Sequence, residues 1–101
     1  MLDSLSLDGK TIVITGGGTG LGREMSLAMA NAGADLVIAS RRTGPIEEVA
    51  VLVAEMGCRA LAISVDVTDS GQVNGLVDQA LSEFGKVDVL LNNAGIVRGQ
   101  G

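Results

Sequence analysis

Residues 15–22 read TGGGTGLG, five glycines in eight residues, directly after the apolar run Thr11-Ile12-Val13-Ile14. Ordering so flexible a stretch costs conformational entropy, so a close approach of bare backbone must compensate. A glycine-rich turn that leaves a strand and opens a helix is where α/β sheets bind phosphate. The first helical turn offers N–H groups without intrahelical partners and a partial positive charge, and the missing Cβ atoms let an anion reach them. The spacing is Thr15-Gly16-x-x-x-Gly20-x-Gly22. It is not the G-x-G-x-x-G of ordinary dinucleotide folds, because Leu21 stands where the third glycine belongs. Nor is it the G-x-x-x-x-G-K-[ST] of a P-loop.

A second candidate is Ser40-Arg41-Arg42, at the end of a short apolar run. Folds that bind NAD place an acid at the end of the second strand, where it bonds the ribose 2′-OH. Here Ser40 stands in the acid's place and Arg41 and Arg42 follow. A carboxylate repels a 2′-phosphate, whereas a guanidinium fork binds it with two parallel bonds. This trio therefore points to NADP, with NAD the less favoured cofactor; the plainer reading is a solvated basic loop.

Other chemistry is excluded by what the sequence lacks. It has no histidine and no tyrosine, which removes the commonest general base; with one cysteine, no transition-metal site is expected. Cys58 has no internal disulfide partner, fits a reducing compartment, and reads as a small buried hydrophobe. The net charge of −5 argues against nucleic acid or an anionic membrane as partner. No apolar segment approaches the ~20 residues of a membrane-spanning helix. The start of the chain carries Asp3 and Asp8 and has no basic lead into an apolar stretch, so it does not read as a secretory signal. The expected location is cytoplasmic.

Positioning these residues requires a sheet. Residues 10–15, 35–40, 59–65 and 87–91 read as strands, apolar without strict alternation, as in a parallel sheet buried on both faces. Three helical patterns lie between them. Leu21, Met25, Ala28, Met29 and Ala32 form one apolar stripe, Ile46, Val49, Ala50, Val53 and Met56 a second, and Val73, Leu76, Val77, Ala80, Leu81 and Phe84 a third. Gly33, Gly57 and Gly85 suit the left-handed residue past each helix end. Pro45 falls in a first turn, where a helix accepts it, and Asp69 with Gln72 resembles a capping box. Gly75 costs its helix about 1 kcal/mol relative to Ala. The fold class is α/β: a Rossmann-type, doubly wound parallel sheet, β-α-β-α-β-α-β in order 3-2-1-4, in one domain over residues 1–101. Right-handed crossovers put the first two helices on one face and the third on the other. With one face so thinly clad, Ile12–Ile14 and Val89–Leu91 are expected to stay poorly covered on one side. The fourth strand is left as an open edge.

The glycine loop, Asp66-Val67 after the third strand, Asn92-Asn93-Ala94-Gly95 after the fourth, and the lead-in Asp8-Gly9-Lys10 together resemble the short-chain dehydrogenase/reductase family, in order along the whole chain. The resemblance implies that Gly16, Gly18, Thr19, Gly20, Leu21 and Gly22 form the cofactor loop along the pyrophosphate and adenine ribose. It implies that Asp66 accepts from the adenine amino group beside the Val67 backbone. Asn93, Ala94 and Gly95 pass along the ribose, and Asn92 braces the central strands. The competing reading is a strand-end turn residue or a helix-start carboxylate for Asp66, and turn formation alone for Asn92 and Asn93. A basic residue after the second strand, here Arg41, goes with NADP in this family.

The family's catalytic Ser and Tyr-x-x-x-Lys, and a structural Asn, would lie beyond the fourth strand. The resemblance thus implies that residues 1–101 are the N-terminal portion of a single domain and that the sheet is incomplete. The 101 residues contain no tyrosine, so no catalytic residue is assigned. By itself this stretch is expected to hold the adenine half of a cofactor without transferring hydride. The leading reading is the cofactor-binding part of an NADP-dependent oxidoreductase. Its small-molecule substrate is a carbonyl or alcohol, or an enoyl compound, and the complete enzyme is a homo-oligomer. A stand-alone nucleotide-binding module or regulator is the alternative. A different Rossmann enzyme such as a methyltransferase is a third, disfavoured by Ser40-Arg41 where a ribose-binding acid belongs.

Overall fold

β-Branched and aliphatic runs too short for helices pair side by side, and the longer segments of 3.6-residue period cross over between them. In the computed structural model, which describes residues 6–93, this gives β1 (Thr11–Thr15), α1 (Gly20–Asn31), β2 (Asp35–Ser40), α2 (Thr43–Glu55), β3 (Ala60–Ser64), α3 (Ser70–Phe84) and β4 (Val89–Asn92). The four strands are parallel in the order β3-β2-β1-β4, the topology expected from the sequence. Thr15 pairs with Ala39 and with Asn92, and Ser40 with Ser64. The carboxyl ends of all four strands therefore lie along one edge.

Alternation along β1 and β2 divides the core in two. Ile12, Ile14, Leu36 and Ile38 face α1 and α2, packing on Ala30, Ile46, Val49 and Val53. Val13, Val37 and Ala39 face the other way, onto Leu76 and Ala80 of α3. Coverage departs from expectation at β1. Ile12, Val13 and Ile14 are at most 2% exposed: Ile12 and Ile14 pack against α1 and α2, and the single helix α3 lies over Val13 at the centre of the sheet. The thin coverage falls on β4, where Val89 is 38% and Leu90 47% exposed.

The stripe expected on α1 is also corrected. Leu21 is 62% exposed and Ala28 is exposed. The buried line is Gly22, Ser26 and Ala30, spaced by four. The helix meets the sheet through its smallest residues, so it comes in close, and its larger side chains flank the contact. Ser26 is tolerated there because its hydroxyl donates to the Gly22 carbonyl at 2.9 Å, as a buried hydroxyl must. In the other stripes Met56, the last residue of the second, and Leu81, within the third, are 45% and 43% exposed.

The helix ends follow the sequence. Gly33, Gly57 and Gly85 take φ of +106°, +91° and +81°. The capping box is half formed: the Asp69 carboxylate accepts from the Gln72 N–H at 3.2 Å and from the Gln72 side-chain amide at 3.5 Å, but the Gln72 side-chain oxygen accepts from the Asp66 N–H at 2.8 Å, and the Asp69 N–H donates to the Asp66 carbonyl instead. β3 and β4 are shorter at their starts than the expected 59–65 and 87–91, because Arg59 and Asp88 are used to tie strand ends. The Arg59 side chain bonds Asp35 at 3.2 Å. The Asp88 carboxylate accepts from the Thr11 N–H at 2.8 Å and pairs with Lys86 at 3.2 Å.

Candidate functional site

The glycine loop runs from the carboxyl end of β1 into α1. Its first residue, Gly16, takes φ +71° and donates its N–H to the Ala39 carbonyl at 2.7 Å, tying the loop to β2. Gly20 takes φ +55°, the left-handed region that a Cβ disfavours. The remaining glycines answer a packing requirement of the protein itself. A Cβ on Gly17 would lie 2.6 Å from the Ile38 side chain, and one on Gly18 would lie 2.8 Å from Pro45 and 3.0 Å from the Ile46 nitrogen. A Cβ on Gly22 would collide with the Gly16 carbonyl oxygen and sit 2.8 Å from the Asn93 amide. The loop is thus wedged between β1, α1 and the start of α2.

What it leaves open fits an anion. Thr19 caps α1 in an extended conformation, but its side chain makes no capping bond, and no acid occupies the first turn. Thr19 lines a cavity of about 280 Å³ with Gly16, Gly18, Ser40, Arg41, Arg42, Pro45, Val65 and Val67. Arg41 and Arg42 are exposed, and neither pairs with a carboxylate among the described residues, whose ion pairs are Arg23–Glu48, Arg59–Asp35 and Lys86–Asp88. Two hydroxyls hold the backbone beneath them: Ser40 donates to the Arg42 carbonyl at 2.8 Å and Ser64 to the Arg41 carbonyl at 3.1 Å.

The other candidates stand around this cavity rather than in its wall. Gly20 and Leu21 are exposed at the start of α1 and Gly22 is buried beneath it. The Asp66 carboxylate accepts from the Thr68 hydroxyl at 2.6 Å and the Thr68 N–H at 2.9 Å. Those two bonds, and more weakly the charge of Arg41, hold its carboxyl below the usual carboxylate range. Asp66 thus closes the strand-end turn through one carboxylate oxygen, while Val67 beside it lines the cavity. Asn92 accepts from the Thr15 hydroxyl at 2.8 Å, a brace between β1 and β4. Asn93 donates to the Gly16 carbonyl at 3.3 Å, so its side chain reaches the glycine loop. Ala94 and Gly95 lie outside the described residues. Sequence reasoning missed Pro45 and Val65 in the cavity wall and Ser64 beneath the arginines. Pro45 carried a signal, since a proline in the first turn of α2 faces the preceding loop; Ser64 had none until the strand register was known.

A parallel sheet in this order, with a glycine-rich turn, an uncapped helix start and free guanidinium groups at its carboxyl edge, is the Rossmann-type arrangement that binds nucleotides. The family model described as short chain dehydrogenase matches residues 10–101, and the chain belongs to that family, whose members are NAD(P)-dependent oxidoreductases. It is 40% identical over 93 residues to the 7alpha-hydroxysteroid dehydrogenase of Escherichia coli K12, covering 92% of this chain and 36% of that protein. The crystal structure of hydroxysteroid dehydrogenase from Escherichia coli superposes with a TM-score of 0.86 at 37% identity, covering 91% of this chain and 39% of that one. The 3-ketoacyl-(acyl-carrier-protein) reductase of Brucella melitensis, complexed with NADH, matches with a TM-score of 0.77 at 41% identity, over 84% of this chain and 34% of that one. The chain thus spans little more than a third of the length of these relatives.

Proposed function

We propose that this chain is the N-terminal, cofactor-binding portion of a single dinucleotide-binding domain in an NADP-dependent oxidoreductase. The observation that carries the choice of cofactor is the end of β2: Ser40 turns its hydroxyl to the Arg42 carbonyl, no acid stands there, and two arginines line the cavity. At about 280 Å³ the cavity lies near the small end of the ~300–1,000 Å³ range of small-molecule sites, the size for part of a dinucleotide. In this reading Gly16, Gly18 and Thr19 run along the pyrophosphate, with the first turn of α1 from Gly20 to Gly22 supplying N–H donors. Arg41 and Arg42 bind the 2′-phosphate, and Val65 and Val67 flank the adenine. Asp66 accepts from the adenine amino group through the carboxylate oxygen that Thr68 leaves free. Asn93 holds the loop by its Gly16 bond, and the Asn93-Ala94-Gly95 backbone follows the ribose.

The bound nicotinamide would supply hydride exchange with a carbonyl or alcohol, or an enoyl, small-molecule substrate. Alcohol and carbonyl chemistry is favoured by the names of the relatives, hydroxysteroid dehydrogenase and ketoacyl reductase. We place the protein in the cytoplasm as a homo-oligomer, on its single cysteine and on the apolar surface of β4. No helix among the described residues is long and apolar enough to cross a membrane.

The test is cofactor binding by the whole protein, wild type and Arg41→Ala. Loss of a charged hydrogen bond weakens NADP by roughly 1.5–3 kcal/mol, about ten- to a hundredfold, and leaves NAD nearly unchanged. Equal losses for both cofactors overturn the assignment.

A further inference from the structure

The arginine pair sits in a segment with few restraints of its own. Arg42 is the N-cap residue of α2, with φ −99° and ψ 125°, and its side chain makes no capping bond. An N-cap Ser, Thr, Asp or Asn normally fixes the entry of a helix; here nothing of the kind does. The restraint comes from a different place. Ser40 and Ser64 are partners in the parallel register of β2 and β3, and the Val65 N–H donates to the Ser40 carbonyl at 2.9 Å, continuing the pairing past the strand ends. From these adjacent positions the two hydroxyls reach up to successive carbonyls, Ser40 to Arg42 and Ser64 to Arg41. Both arginine backbones are thus pinned at the mouth of the cavity. Arg41 takes its only such bond from another strand.

We propose that Ser64 is a positioning residue for cofactor choice. Its hydroxyl fixes the Arg41 carbonyl, and thereby sets the angle at which the Arg41 side chain leaves the backbone into the cavity. The inference rests on the reading of Arg41 as the 2′-phosphate ligand. A bidentate guanidinium contact depends on orientation, so loss of the pin reduces 2′-phosphate recognition. Ser64 is exposed, so water can take over the freed carbonyl and the fold is little affected.

The experiment measures NADP and NAD dissociation constants for the whole protein as wild type, Ser64→Val, Ser64→Thr and Arg41→Ala, with thermal unfolding of each. Thr and Val have the same shape and differ in the hydroxyl. Ser64→Val is expected to weaken NADP roughly two- to tenfold, the value of one neutral hydrogen bond, with NAD unchanged, while Ser64→Thr keeps the wild-type ratio. If Arg41→Ala discriminates against NADP but Ser64→Val leaves the NADP-to-NAD ratio as in wild type, Ser64 has no such role and the NADP reading stands. If Ser64→Val weakens both cofactors alike, its role is structural only and the proposal is overturned. If Arg41→Ala leaves NADP binding intact, the NADP reading and the Ser64 proposal fall together.

Discussion

Gly22 and Gly75 both lie inside helices, and the structure gives the same substitution opposite signs at the two. At Gly22→Ala the new Cβ meets the Gly16 carbonyl oxygen and lies 2.8 Å from the Asn93 amide. The obstructing atom is backbone, in a loop tied to β2 by the Gly16 N–H bond to Ala39, so it gives way only if the loop shifts. Overpacking of this kind costs about 1–3 kcal/mol. Pushing the Gly16 carbonyl away from Asn93 removes a further ~0.5–1.5 kcal/mol of hydrogen bonding, and the better helix propensity of Ala returns about 1 kcal/mol. Because the clash is with rigid backbone we take the upper part of the range, a net loss of about 2–3 kcal/mol. Gly75→Ala meets nothing within 4 Å and has no positive φ to strain; it should gain about 0.5–1 kcal/mol from propensity alone. The variants should thus be separated by about 3 kcal/mol, or on the order of 10–20 °C in Tm for a domain of this size. Urea unfolding at unchanged m-value measures the difference directly. A Gly22→Ala protein as stable as wild type would refute the wedge geometry of the glycine loop.

Acid should destabilise the fold through Asp88 and Asp66. The Asp88 carboxyl is held below its usual range by the Thr11 N–H first and by Lys86 next, and Asp66 by Thr68. A depressed carboxylate pKa means that the unfolded chain binds protons first as pH falls. The contribution is therefore whole above the unfolded value near ~3.9 and is lost as pH drops through the lower folded value. Urea midpoints should be flat from neutral pH to about 5 and fall below 4; Asp88→Asn should show a shallower fall, and an unchanged acid slope would count against this role. Cys58 packs its thiol toward the Ala30 carbonyl at 3.3 Å, and burial, with the charges of Asp35 and Asp8, raises its pKa. A thiol-specific disulfide reagent at pH 8 should react more slowly with the native chain than with the urea-unfolded one, and equal rates would contradict the assignment. With Val89 and Leu90 of β4 exposed, and Leu81 of α3 exposed as well, the 101 residues alone should sediment as species larger than a monomer. A sharp monomer would show that this face is covered in some other way.

The sheet order was legible because alternation of strands and helices narrows the topologies and the doubly wound class supplies the order. Four apolar runs separated by helical periods admit few right-handed arrangements, and motif residues at each run's end had to arrive at one edge. Which side chains face the sheet was less legible, and α1 shows why. Hydrophobicity nominated Leu21 and Ala28, yet the helix meets the sheet along Gly22, Ser26 and Ala30, since close approach selects small residues over apolar ones. The same preference changes how the glycine loop is understood. Five glycines in a row of eight invited an explanation in terms of a bound phosphate, but Gly17, Gly18 and Gly22 each have a protein atom where a Cβ would go. Those three are required before any ligand arrives. The ligand's share passes to the open features: the uncapped start of α1, Arg41 and Arg42, which pair with no carboxylate among the described residues, and the cavity between them. Asn93 joins the two shares. Read from sequence as a ribose contact, it bonds the Gly16 carbonyl at the point where Gly22 approaches it. The end of β4 thereby braces the loop that opens α1, and a change at Asn93 should reach the cavity through Gly16.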